Sequence, residues 1–183
     1  MSPNSVVSNA NDHVVELRVP AELPYQLIFR MRRTVPFEVS ARDDVEFHFA
    51  SSLPKFLPLV RQLSPAVSRV ELIKSFLRMG VGRGFYCIVG NGVILHRGWI
   101  NIAFCRHYNV RAGEAVIGPI WSAPEARGRG LAKYATQCVI NELLQRGLSV
   151  FYIDTSPDNL ACLKMIENCG FGPAMGCIPR EGD

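Results

Sequence analysis

The chain has 183 residues, 48% hydrophobic and 20% charged, with a formal net charge of +4 at pH 7. This composition excludes a disordered, collagen-like or highly charged chain, and the length fits one domain with or without an extension. No apolar run approaches the length of a membrane span, and a mild positive excess without a dense basic run allows an anionic small-molecule ligand but argues against nucleic acid.

Met1 to Asn11 contains no Lys or Arg and no long apolar run. It lacks the basic start and apolar middle of a secretory signal, so residues 1–12 are expected to be a disordered polar tail, and a cytoplasmic location is expected. Three alternating segments follow. Val15, Leu17 and Val19 share one face of Val14–Val19. Tyr25, Leu27, Phe29 and Met31 share one face of Tyr25–Arg32, and Val45, Phe47 and Phe49 one face of Asp44–Ala50. Period two predicts half-buried strands.

Two helices are expected next. The first is short, Leu53–Leu63. The second starts at Ser64-Pro65, a cap and a first-turn proline, and runs to about Met79, with Val70, Ile73, Phe76 and Leu77 on its apolar face and Gly80 as a stop. Phe85–Val89 and Val93–Ala103 flank Asn91-Gly92, which supplies the positive-φ turn of a hairpin. Glu114–Trp121 reads as a strand. Its Gly118-Pro119 predicts a bulge or an unpaired edge, because proline offers no ladder donor. A helix over about Arg129–Arg146, a strand at Val150–Asp154, a helix at Asn159–Asn168 and a strand region at Phe171–Ile178 complete the chain. The element order predicts a mixed α/β fold.

Six cysteines stand at 87, 105, 138, 162, 169 and 177, with no C-x-x-C and no zinc-finger spacing to His. They are expected to be reduced, buried thiols, and no metal is expected. Chemistry concentrates at Pro124-Glu125-Ala126-Arg127-Gly128-Arg129-Gly130-Leu131-Ala132, between a predicted strand and a predicted helix. Helix N-termini carry free amides that attract anions. Gly128 and Gly130 let a phosphate approach the backbone. Arg127 and Arg129 oppose the helix dipole unless an anion sits between them. The same stretch also reads as a Gly-rich turn with solvated arginines. It is neither a P-loop nor the dinucleotide fingerprint.

Arg127-x-x-Gly130-x-Ala132 resembles the Q/R-x-x-G-x-G/A signature of the GCN5-related N-acetyltransferase (GNAT) superfamily. Asn159-Leu160-Ala161-Cys162, leading to Cys169-Gly170-Phe171, is similar to the N-x-x-A/S…GF segment of that superfamily. The resemblance covers about residues 85–178, is topological over 44–80 and is absent over 1–43. It implies a single GNAT-like domain over 13–183, with a mostly antiparallel sheet flanked by helices, extra strands over 13–43 and a core over 44–183.

The resemblance further implies acetyl-CoA as co-substrate and no metal. The coenzyme A pyrophosphate would rest on Arg127, Gly128, Arg129, Gly130, Leu131 and Ala132. The pantetheine would pair with the backbone of Ile120, Trp121 and Ser122, and Asn159 would lie near it. The strand ending at Ser122 and Val150–Asp154 would splay at Gly118-Pro119 to admit the arm. A strand-end amide would polarise the thioester carbonyl, and a deprotonated primary amine would attack it.

The chain departs from the family at two places. Ile166 stands where many relatives carry a tyrosine acid, and Gly118 where some carry a glutamate base. A water or Tyr152 could replace the acid. His96 and Glu114 are the candidate bases. A lone strand histidine is often structural, and Glu114 also reads as a solvent-facing carboxylate. Trp99 and Asn101 are grouped with His96 as walls of an acceptor pocket, with a place on the solvent face as the alternative. Cys162 occupies the small position of the motif and is not expected as a nucleophile. The expected activity is N-acyl transfer to a small-molecule amine, a nucleotide-linked amino sugar being one candidate. The rival expectation is a CoA-binding regulatory or degenerate module without catalysis. The N-terminal strands are expected to extend the sheet or to form a homodimer contact.

Overall fold

The structure is a computed structural model that describes residues 24–60, 62–63, 72–73, 76–77, 79 and 82–179. Its elements are β1 (Tyr25–Arg32), β2 (Glu46–Ala50), α1 (Leu53–Val60), β3 (Arg83–Gly90), β4 (Val93–Ile102), β5 (Glu114–Ser122), a 3-10 turn (Pro124–Ala126), α2 (Leu131–Leu144), β6 (Val150–Thr155), α3 (Leu160–Asn168) and β7 (Ala174–Pro179). The strand expected at Val14–Val19 lies outside the described residues, as does most of the helix expected from Ser64 to Met79. Every strand pair with a defined register is antiparallel. The fold is therefore mixed α/β, with mostly antiparallel sheet flanked by helices.

The described chain groups into two compact units, one within 32–151 and a second formed by residues 24–31 with 152–179. The first holds the antiparallel order β2-β3-β4-β5. Alternation sends Phe85, Cys87 and Val89 of β3 and Trp99 of β4 to one face, where they pack with Ala50, Phe56 and Leu59. Phe56 of α1 is the hub, its ring 5.2 Å from Phe85 and 5.7 Å from Trp99. Burying aromatic rings edge to face gains beyond area alone. Phe76 joins this cluster at 5.6 Å from Phe56, and Leu72 packs against it as well. The expected apolar face of that segment needs correcting. Ile73 and Leu77 are 59% and 76% exposed, because the i, i+4 pair Leu72 and Phe76 faces α1 instead.

The opposite alternation of β3 and β4 carries Tyr86, Ile88, His96 and Ile100, all fully buried. Helix α2 contacts β2, β3 and β4 and buries Leu131, Ala135, Val139, Ile140 and Leu143. Asn91 and Gly92 take φ of 51° and 75° in the hairpin. Between β4 and β5 the register slips at Gly98/Ile100, so that Ile120 pairs with Gly98 while Ile117 pairs with Ile100. The irregularity expected at Gly118-Pro119 is this slip.

In the second unit the strand order is β6-β1-β7. The N-terminal strand β1 lies between two others and pairs antiparallel with β7 from Tyr25↔Pro179 onward. It is not an added edge there, because both its backbone rims face neighbouring strands. Ile28, Phe29 and Met31 are buried, so alternation in β1 is weaker than the sequence pattern suggests. Helix α3 buries Met165 and Ile166. No helix among the described residues is long and apolar enough to cross a membrane.

Candidate acyl-CoA site

Strand β5 ends at Ser122, and the chain turns through Pro124–Ala126 before α2 begins at Leu131. Between them Gly128 and Gly130 both adopt left-handed conformations, φ 75° and 73°. Only glycine takes these at little cost. A Cβ built on either would meet nothing within 4 Å, so both glycines border open space. The N-cap of α2 is Gly130, with no side-chain cap and no acidic residue in the first turn. The amides of Leu131, Ala132 and Lys133 precede the first intrahelical bond, which runs from the Tyr134 amide to the Gly130 carbonyl, 3.1 Å. An uncapped helix start beside two open glycines is the geometry that accepts a phosphate. The residues present therefore fit the pyrophosphate of coenzyme A.

The charges around this turn are arranged, not scattered. Asp44 grips Arg42 with both oxygens, Oδ1 to Nε and Oδ2 to a terminal nitrogen, each at 3.0 Å. Its Oδ2 also accepts from Arg129 at 3.0 Å. The remaining terminal nitrogen of Arg42 donates to the Arg129 carbonyl, 3.0 Å. The Arg42 guanidinium holds the Asp44 carboxyl below the usual carboxylate range, against an opposing desolvation effect, and Arg129 adds to it. Arg127 is exposed and has no ion-pair partner among the described residues. Nothing in the sequence pattern pointed to Arg42 or Asp44, because they lie 87 and 85 residues from Arg129.

On β4, His96 is fully buried. It pairs across the ladder with Ser122, and its Nδ1 lies 2.8 Å from the Ser122 hydroxyl oxygen. Its Nε2 is buried without a hydrogen-bond partner. Desolvation lowers the imidazole to about 4, so it is neutral at pH 7. Trp99 does not share a pocket with His96. They stand three positions apart, and an odd spacing puts side chains on opposite sheet faces; Trp99 packs instead with its ring 4.8 Å from Phe85 in the α1 core. Asn101 shares the odd parity of Trp99 and is half-buried.

Glu114 opens β5 and is 9% exposed. Its Oε2 accepts the Arg111 amide at 2.9 Å, while its own amide donates to the Arg111 carbonyl at 3.1 Å. The carboxylate closes the turn that precedes the strand and is not solvent-facing. Trp121, half-buried, lies opposite Arg97, whose guanidinium sits 5.1 Å from the indole ring. Ile120 is half-buried beside it. Asn159, in the second unit, is the N-cap of α3: its Oδ1 accepts from the Cys162 amide, 3.2 Å. Burial raises the Cys162 thiol, with the Thr155 side chain opposing, so it is a poor thiolate. No group of His, Cys, Asp or Glu among the described residues could hold a metal ion.

A glycine turn leads into an uncapped helix that packs on antiparallel sheet, the layering of a mixed α/β protein. A family model for the acetyltransferase (GNAT) family matches residues 66–171, more than half of the chain. The chain belongs to the acetyltransferase (GNAT) family. Among solved structures, a tandem GNAT protein from the clavulanic acid biosynthesis pathway superposes with a TM-score of 0.60 at 15% identity, over 84% of this chain and 51% of that one. A GNAT-family acetyltransferase from Colwellia psychrerythraea gives 0.57 at 16% identity, over 83% and 53%. The aminoglycoside N-acetyltransferase AAC(6')-Iy, solved in complex with CoA, gives 0.58 at 18% identity, over 79% and 98%. At these identities the likeness is one of fold. The chain spans about half the length of the first two. No curated protein matches it in sequence.

Proposed function

We propose that the protein is an acetyl-CoA-dependent N-acyltransferase acting on a primary amine of a small molecule. The observation that carries the reading is the open Gly128–Gly130 cradle at the uncapped start of α2, in a chain of this family. Gly128 to Ala132 would hold the pyrophosphate, with Arg127 and Arg129 facing its charge, and the backbone of Ile120 to Ser122 would take the pantetheine arm. Bound acetyl-CoA supplies an activated acyl carbonyl. The chain contributes binding, orientation and a strand-end amide for the oxyanion.

The amine must lose a proton before it attacks. Burial and the contact with Ser122 give His96 the role of fixing the strand end where the arm would pass. Glu114 is committed to its turn, which leaves water as the acceptor of the amine proton. Small primary amines, nucleotide-linked amino sugars and, from the fold likeness, aminoglycosides form the acceptor panel.

Calorimetric titration with acetyl-CoA tests the reading. Gly130→Glu places a carboxylate on the phosphate path and is expected to weaken binding by roughly tenfold or more, a change of about 1.4 kcal/mol. Undiminished binding in that variant ends the proposal. The two tied-up carboxylate and imidazole candidates favour a second reading, a CoA-binding module without catalysis. Acceptor-dependent release of free thiol from acetyl-CoA removes it.

A further inference from the structure

Arg129 stands between two left-handed glycines, φ 75° and 73°. Glycine-flanked segments lose the most backbone freedom on ordering, so a cradle with its amides preset needs an external tie. The structure supplies it from the segment before β2. Arg42 spends two nitrogens on a fork with Asp44 and its third on the Arg129 carbonyl, and Asp44 in turn takes the Arg129 side chain. Residue 129 is thus held twice, once by its peptide and once by its guanidinium. Arg42 also lies 5.9 Å from the ring of Tyr134, in the first turn of α2. Fork-shaped pairing fixes direction as well as distance.

The charge bookkeeping points the same way. A cation beside a helix N-terminus is unfavourable, and a local carboxylate would relieve it by capping the helix. That would occupy the phosphate position. Asp44 relieves it from outside, and α2 keeps no side-chain cap. Such exposed pairs add little to global stability, so their effect falls on the loop they touch.

We propose that Arg42 and Asp44 are a positioning pair that presets the Arg127–Gly130 turn for phosphate. The proposal rests on the acetyl-CoA reading above for its ligand. The closing experiment uses the full chain as wild type, Asp44→Asn, Arg42→Gln and Asp44→Glu, with two readouts. The first is tryptic cleavage after Arg127 and Arg129 without any cofactor, read from fragment masses. The second is the Kd for acetyl-CoA by calorimetry.

Asp44→Asn and Arg42→Gln are expected to speed cleavage at those two bonds roughly three- to tenfold and to raise Kd by a similar factor, the scale of one exposed ion pair or slightly more. Asp44→Glu, which keeps the charge, is expected to recover part of both. Asp44→Asn is decisive in sign. Removing a negative charge near a bound anion would by electrostatics alone tighten binding, so tighter or unchanged binding overturns the positioning role. Unchanged cleavage overturns it too. If the wild type binds no acetyl-CoA, the cofactor reading falls by itself. Faster cleavage in both variants then still supports the tie, and unchanged cleavage ends it.

Discussion

His96 shows how burial redirects a residue whose free chemistry suggests a base. With its imidazole lowered from 6.5 to about 4 by desolvation, the folded protein holds it neutral where the unfolded chain would protonate it. The unfolded state therefore binds more protons between those values, and stability is lost as pH falls through that window. Between pH 7 and 5 this one group is expected to cost about 2 kcal/mol. Urea unfolding of wild type and His96→Asn at both values measures it, as the part of the pH dependence that disappears in the variant. Gly98 is a second residue fixed by a neighbour. A Cβ there would collide with the Tyr86 ring, which is itself fully buried. Gly98→Ala is expected to destabilise by about 1–3 kcal/mol. Pairing it with Tyr86→Leu should lose less than the sum of the two single changes.

At the scale of elements, helix starts separate the two halves of the family motif. Helix α3 is capped by Asn159, whose side chain accepts from the Cys162 amide, whereas α2 starts at an uncapped glycine. One terminus is capped by a side chain and the other has no side-chain cap. Asn159→Ala is expected to lower the melting free energy by about 1 kcal/mol, as removal of a cap does. An Asp there should restore most of it. Full stability in the alanine variant would mean that the cap contributes nothing. The segment before β2 is tied to α2 as well. Asn141 on α2 exchanges two hydrogen bonds with the Phe37 backbone, at 2.7 and 3.0 Å, on the same helix whose start the Arg42–Asp44 pair orders.

For the molecule as a whole, the thiols report the quality of the core. None of the six cysteines forms a disulfide, Cys87 and Cys169 are buried, and burial pushes the Cys87 thiol up to about 12. A thiol-specific reagent is expected to miss these two in the native state and to count six after denaturation, and reductant should leave the melting temperature unchanged. Reaction of Cys87 at a rate near that of a free thiol would contradict the packing around Phe56 and Trp99.

The sequence by itself determined the order of the described strands and helices, the Asn91-Gly92 hairpin and the glycine turn before α2. These depend on period, on turn chemistry and on residues next to one another in the chain. It also carried both family motifs, because each is a short local spacing. Tertiary structure alone decided the rest. Strand β1 takes an interior place between β6 and β7, since register and order follow from which edges meet and not from alternation. Ile73 and Leu77 point outward because Phe76 finds Phe56. His96 and Trp99 part to opposite faces, and Asp44 reaches Arg129 across 85 positions. Contacts between distant segments leave no trace in local pattern, and it is those contacts that set the charge of the site.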